Sequence, residues 1–158
     1  MTLTKHTVLD AVASLMRRRF DVTGERDKRF GSVTFDLYLP PPLHCAVQFD
    51  DATHCTRERA ATFAGYPPDA PLNFDVRRYL ADQTPGSAEL AAQDKLADFI
   101  DDLNPTVRIR QDEVEELPGT LEERVEAILS RRFAYHAGTT FHLMLENAGG
   151  KPHRTLGG

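Results

Sequence analysis

Asp36, Gln48, Asp50 and His54 have the types and spacing for metal-assisted hydrolysis. Carboxylates and an amide carbonyl are hard oxygen donors of the kind that hold Mg²⁺ or Mn²⁺, and an imidazole nearby can orient or activate a water. The candidate metal ligands are Asp36, Gln48 and Asp50, with His54 beside them. Other constellations carry less. His44-Cys45 and His54-Cys55 contain zinc-type donors, but strand neighbours point to opposite faces, so His44 and Cys45 cannot close on one ion. Cys45 falls on an apolar face, leaving Cys55 as the accessible thiol. The chain has no G-x-x-x-x-G-K-[ST], G-x-G-x-x-G or G-x-S-x-G run, so phosphate-loop nucleotide binding and serine hydrolysis have no support.

Convergence of the four residues requires a hairpin. From Gly31 to Pro40 the chain alternates, with Val33, Phe35, Leu37 and Leu39 on one face and Thr34, Asp36 and Tyr38 on the other. Pro40-Pro41-Pro42 cannot continue a ladder and forms a stiff connection. Beyond it Leu43, Cys45, Val47 and Phe49 alternate with His44, Ala46, Gln48 and Asp50, so residues 29–51 read as a hairpin whose polar faces coincide. A solvated hairpin face shows the same alternation, which therefore does not by itself distinguish a site from a surface.

The surrounding elements follow from periodicity. An amphipathic helix is predicted over 7–20, with Arg17, Arg18 and Arg19 at its C-terminal end, where the helix dipole favours cations. Residues 24–28 read as a polar turn, 56–63 and 76–81 as short helices, and 88–103 as a longer helix ended by Asn104-Pro105. A strand over 106–110 with Val107 and Ile109 inward and a helix over 121–133 complete one domain, 1–135. Residues 136–146 read as an extra strand or docked segment, and the Gly-rich 147–158 as a flexible tail.

Asp36, then Gln48-Phe49-Asp50-Asp51-Ala52-Thr53-His54, followed by Arg77-Arg78-Tyr79 and by TVRIRQDEVEELPGTLEERVEAIL, resembles the PD-(D/E)xK nuclease superfamily. The branch it is most similar to is that of very-short-patch-repair endonucleases. The likeness spans residues 30–128. It implies an α/β, restriction-endonuclease-like core, a small mixed sheet flanked by helices, performing Mg²⁺- or Mn²⁺-dependent phosphodiester hydrolysis in DNA. Asp36 would be the central metal ligand, Gln48 would stand where the second acid usually sits, Asp50 would take the place of the usual lysine, and His54 would contact the attacking water or the scissile phosphate. Gln48 is neutral, Asp51 replaces the usual glycine, and the hairpin has no lysine. A relocated lysine could be Lys28 or, better placed on a helix after the core strands, Lys95. The first helix region could add an acid, Asp10 or Glu25.

The whole chain, 158 residues with a formal charge of −5, is an ordinary single-domain composition and excludes a protein that coats nucleic acid by charge alone. No apolar run approaches the roughly 18 residues of a membrane span, and Lys5, His6 and Asp10 interrupt any leader-like stretch, so a cytoplasmic protein with reduced thiols is expected. Lysine occurs only at Lys5, Lys28, Lys95 and Lys151, and most cations are arginines. Arg57 with Arg59, Arg77 with Arg78, and Arg108 with Arg110 are candidate contacts to DNA phosphates. The oligomeric state is open, a homodimer included. Beside the nuclease reading stand two others: the same fold with a decayed site, binding DNA or protein, and a domain unrelated to nucleic acid.

Overall fold

The computed structural model describes residues 3–134; the segments 136–146 and 147–158 lie outside the described residues. The order is α1 (Lys5–Phe20), β1 (Glu25–Phe30), β2 (Val33–Leu39), β3 (Cys45–Asp50), α2 (Arg57–Thr62), α3 (Val76–Leu80), α4 (Ala88–Leu96), β4 (Phe99–Asp101), β5 (Asn104–Pro105), β6 (Val107–Arg110), α5 (Gln111–Glu116) and α6 (Leu121–Ala134). This is a mixed α/β fold around a four-stranded sheet, β1-β2-β3-β6, with β4 and β5 as a separate two-stranded ribbon. β1, β2 and β3 are antiparallel neighbours, whereas β6 lies parallel to β3, Val47 opposite Val107 and Asp50 opposite Arg110. A parallel neighbour needs a long crossover, supplied here by the segment carrying α2, α3 and α4.

Thr4 starts α1: its hydroxyl accepts from the Thr7 N–H, and the reciprocal bond from Thr7 completes a capping box. Asp21, in the left-handed region, ends the helix. The buried stripe Val8, Leu9, Val12, Leu15 and Met16 meets Val125, Ile128 and Leu129 of α6 and one sheet face made by Leu37, Leu39, Val47, Phe49, Val107 and Ile109. This is the main core. The opposite face carries a small cluster, Phe35, Ala46 and Ala97, and beside it Phe63, Phe74 and Tyr79 form an aromatic cluster among the crossover elements. No helix among the described residues is long and apolar enough to cross a membrane.

The expected hairpin forms as β2 and β3, but the alternation of β2 reverses within it. Phe35 packs on one side of the sheet while Leu37 and Leu39 pack on the other. The reversal falls at Asp36, across from a β1 segment where Asp27 has a positive φ of 52°. β1 itself replaces the polar turn expected over 24–28. Five of its six residues, Glu-Arg-Asp-Lys-Arg-Phe, are charged, a poor strand signal that suits an exposed edge where charge blocks further pairing. The helix expected over 88–103 stops at Leu96, because Asp98 is drawn into the interior by two arginines and Phe99 pairs across to Pro105. Residues 111–116 form α5, a helix that periodicity did not announce.

Candidate active site

The β2–β3 ladder runs through Leu39–Cys45, Tyr38–Ala46 and Leu37–Val47 and then stops. At the next step side chains replace the ladder. The Asp36 N–H donates to Gln48 Oε1, and the Phe49 N–H donates to Asp36 Oδ2 at 2.9 Å. The strands part here, and β3 continues its pairing with β6 alone. Asp36 and Gln48 are thus fixed by backbone groups, which otherwise would lack partners.

A pocket of about 340 Å³ opens at the parting, lined by Lys5, Asp36, Gln48, Asp50, His54 and Asp94 among others. The structure therefore brings together Asp36, Gln48, Asp50 and His54, as their spacing suggested. It adds Lys5, from the first turn of α1, whose Nζ lies 2.8 Å from Asp36 Oδ1. It also adds Asp94 of α4, whose carboxylate contacts His54 Nδ1 at 2.8 Å. That hydrogen bond, reinforced by the negative charge of Asp50, Asp94 and Asp51, raises the His54 pKa above its ordinary value against the effect of burial. His54 Nε2 has no partner among the described residues.

Asp50 has a different character. It is buried, and Arg108 Nη1 donates to its Oδ1 at 2.9 Å while the Tyr79 hydroxyl donates to its Oδ2 at 2.6 Å. Arg108 spans the interior: its Nε reaches Asp98 at 2.8 Å and its Nη2 the Asp94 carbonyl at 2.7 Å. Asp98 in turn accepts from both Nη atoms of Arg59, at 3.0 and 2.6 Å. Asp50, His54 and Asp94 bring ligand atoms within 4.8 Å of one another, close enough to hold a metal ion. Arg108 already neutralises Asp50, however, and its guanidinium stands 4.0 Å from Asp94, so a cation there would compete with a buried one. Asp36 Oδ1 and Gln48 Oε1 keep lone pairs beyond their present bonds, and oxygen donors of this kind suit a hydrated Mg²⁺ or Mn²⁺.

The arginine pairs divide in a way their spacing did not reveal. Arg59 and Arg108 are fully buried and Arg110 nearly so, the last paired with Asp82 and Asp112 and lying 4.7 Å from the Tyr79 ring centroid. All three guanidinium groups lie inside the protein on interior acids, with Arg59 Nε alone left without a partner, and this burial corrects the expectation that they meet DNA. Arg57 is exposed, and its guanidinium pairs with Glu58. Arg77 is exposed, and Arg78 pairs with Glu116. Lys95 does not line the pocket; its Nζ lies 5.1 Å from the Tyr66 ring centroid, and Lys28 sits on β1 beside Glu25. Asp10 pairs with Arg26 and His6, away from the pocket lining. Cys45 and Cys55 are free thiols pushed up to about 12 by burial, neither a ready nucleophile.

Lys5 left no signal in the sequence, because the predicted helix begins at residue 7 and only the structure extends its first turn back to Lys5. Asp94 left none, because an acid on a helix is ordinary until the sheet beneath it is known. Comparison with protein-family models, with curated proteins and with solved structures gives no match to this chain.

Proposed function

We propose that this pocket hydrolyses phosphodiester bonds in DNA with Mg²⁺ or Mn²⁺, on a core of restriction-endonuclease-like type. The observation that carries the reading is the parting of β2 and β3 at Asp36 and Gln48 with the Lys5 ammonium on Asp36. An acid, an amide oxygen and a lysine meet where the ladder between the two inner strands ends. The order of elements supports it: a helix, three antiparallel strands, a helical crossover and a strand parallel to the third. In this reading Lys5 supplies the cation that the hairpin lacks, reaching the site from α1. Asp36 and Gln48 would hold the metal, which when bound lowers the pKa of a water and offsets charge on the phosphate. Asp94 holds His54 by Nδ1, and Nε2 is left to meet a phosphate oxygen or the attacking water. Lys5 can hydrogen-bond a phosphate oxygen as it leaves Asp36.

Cleavage of plasmid and mismatched duplexes with Mn²⁺, comparing wild type with Asp36→Asn, Lys5→Ala and His54→Ala, tests the reading. Cleavage should require Asp36 and Lys5. No cleavage by wild type, together with a melting temperature indifferent to Mg²⁺ and Mn²⁺, overturns it. A second reading, the same core as a non-cutting DNA-binding or protein-interaction module, is favoured by the neutral Gln48 and by the engagement of Asp50 with Arg108. It expects duplex binding that survives Asp36→Asn and is indifferent to metal.

A further inference from the structure

A second concavity, of about 490 Å³, lies between the start of α3, α5 and the end of α6. Its sign is opposite to that of the first. Arg77, Arg78, Arg131 and Arg132 line it against Asp75 and Glu113, in a chain whose net charge is −5. Two of these arginines are accounted for by the fold. Arg132 is buried on Glu113 and the Arg108 carbonyl, and Arg78 is paired with Glu116 and Asp75. Arg77 and Arg131 are exposed, and their side chains have no hydrogen-bond or ion-pair partner among the described residues. They come from helices far apart in sequence, so sequence proximity alone does not explain their sharing a pocket.

The floor carries an independent mark. Asn73 lines the same pocket, is 4% exposed, and its side-chain Oδ1 has no hydrogen-bond partner among the described residues. A buried amide with an empty end is rare and asks for an external group. Turning the amide about its last torsion exchanges the oxygen for the NH₂, so Asn73 can present donors to an oxyanion without moving the backbone. Asn73 is also held in place: it bridges to Val107 alongside β6, and its carbonyl accepts from the Arg108 N–H.

We propose that this pocket binds a phosphate group, with Arg77 and Arg131 as its unpaired cations and Asn73 as the donor at its floor. Planar guanidinium forks match phosphate oxygens. The source best matched to the protein is a phosphate of a nucleic-acid strand, an inference that rests on the nuclease reading of the other pocket. The strand would then be held by arginines at one pocket while the acidic pocket receives the metal.

The test uses the full chain in EDTA, with anisotropy of a labelled DNA duplex across a salt series and melting in inorganic phosphate against chloride at equal ionic strength. Arg77→Ala/Arg131→Ala should melt as wild type does in chloride, since both residues are exposed. It should bind duplex at least tenfold more weakly, with a salt slope lower by about 0.9 for each lost contact. Phosphate should raise the melting temperature of wild type and leave the variant unmoved, and Asn73→Leu, if folded, should behave as the double variant does. Phosphate stabilisation lost in the variant, with no duplex binding by either protein, supports the pocket and overturns the nuclease reading instead. Equal duplex binding and equal phosphate response in wild type and variant overturn the proposal.

Discussion

Asp36 is asked to do two things, and substitution can separate them. One oxygen holds the parted strands by accepting from the buried Phe49 N–H, and the other faces Lys5 in the pocket. Asp36→Ala removes the acceptor and leaves a buried N–H unpaired, at about 1–3 kcal/mol, and removes an ion pair worth about 0–1 kcal/mol because Lys5 is half exposed. The sum is about 1–4 kcal/mol. Asp36→Asn keeps an acceptor of the same shape and loses mainly the ion pair, so about 1 kcal/mol. The difference between the two variants, the unpaired N–H at about 1–3 kcal/mol, corresponds to roughly 2–4 °C in melting temperature per kcal/mol for a domain of this size. The metal response divides them differently: both should lose the stabilisation that saturating Mn²⁺ gives wild type, about 2.7 kcal/mol at a hundredfold excess over Kd. Calorimetry in EDTA and in Mn²⁺ reads both quantities. Equal melting of Asp36→Ala and Asp36→Asn in EDTA would refute the structural half of the argument, and an undiminished Mn²⁺ shift in Asp36→Asn would refute the chemical half.

Arg108→Ala should destabilise the protein by about 3–5 kcal/mol, because it leaves the buried Asp50 without its guanidinium and Asp98 with Arg59 as its one cation, whereas exposed Arg57→Ala should stay within about 0.5 kcal/mol; urea titration checks both. Lys5→Ala should abolish cleavage and Lys95→Ala should not; the reverse in the plasmid assay would return the lysine role to α4. The raised His54 pKa makes its contribution to stability fully present below its ordinary value, about 6.5, and lost as pH rises through the folded value. Asp94→Asn should lower the His54 midpoint in an NMR titration and flatten stability over that window; an unmoved midpoint would count against the hydrogen bond.

The hairpin was legible because its apolar residues alternate and three prolines interrupt them, and this sufficed to bring Asp36, Gln48 and Asp50 near one another. What the alternation concealed is the reversal at Asp36. Period two assumes a continuous ladder, and the ladder ends where side chains substitute for backbone partners. β1 was illegible for a related reason: an edge strand is specified by what it prevents, and its charges look like a turn. The long helix over 88–103 was misread because Asp98 and the periodic residues around it favour different outcomes, and two buried ion pairs prevail over helical spacing. Lys5 and Asp94 reach the pocket from α1 and α4, elements whose placement over the sheet no local pattern encodes.

The scarcity of lysine and abundance of arginine then acquire a physical division of labour. A guanidinium can serve several acceptors at once in fixed directions, and Arg108 does so, joining Asp50, Asp98 and the Asp94 carbonyl in one buried constellation. Three of the arginines that looked like a nucleic-acid surface are therefore interior struts, and they allow acids to stand beneath the pocket without repelling one another apart. An ammonium is compact and swings on a flexible stem, so Lys5, half exposed at the start of α1, can exchange Asp36 for a phosphate oxygen at little structural cost. Arg108 has no such freedom. Variants at the buried arginines should therefore be read first as stability variants, and only those at Lys5, Arg77 and Arg131 as probes of what the protein binds.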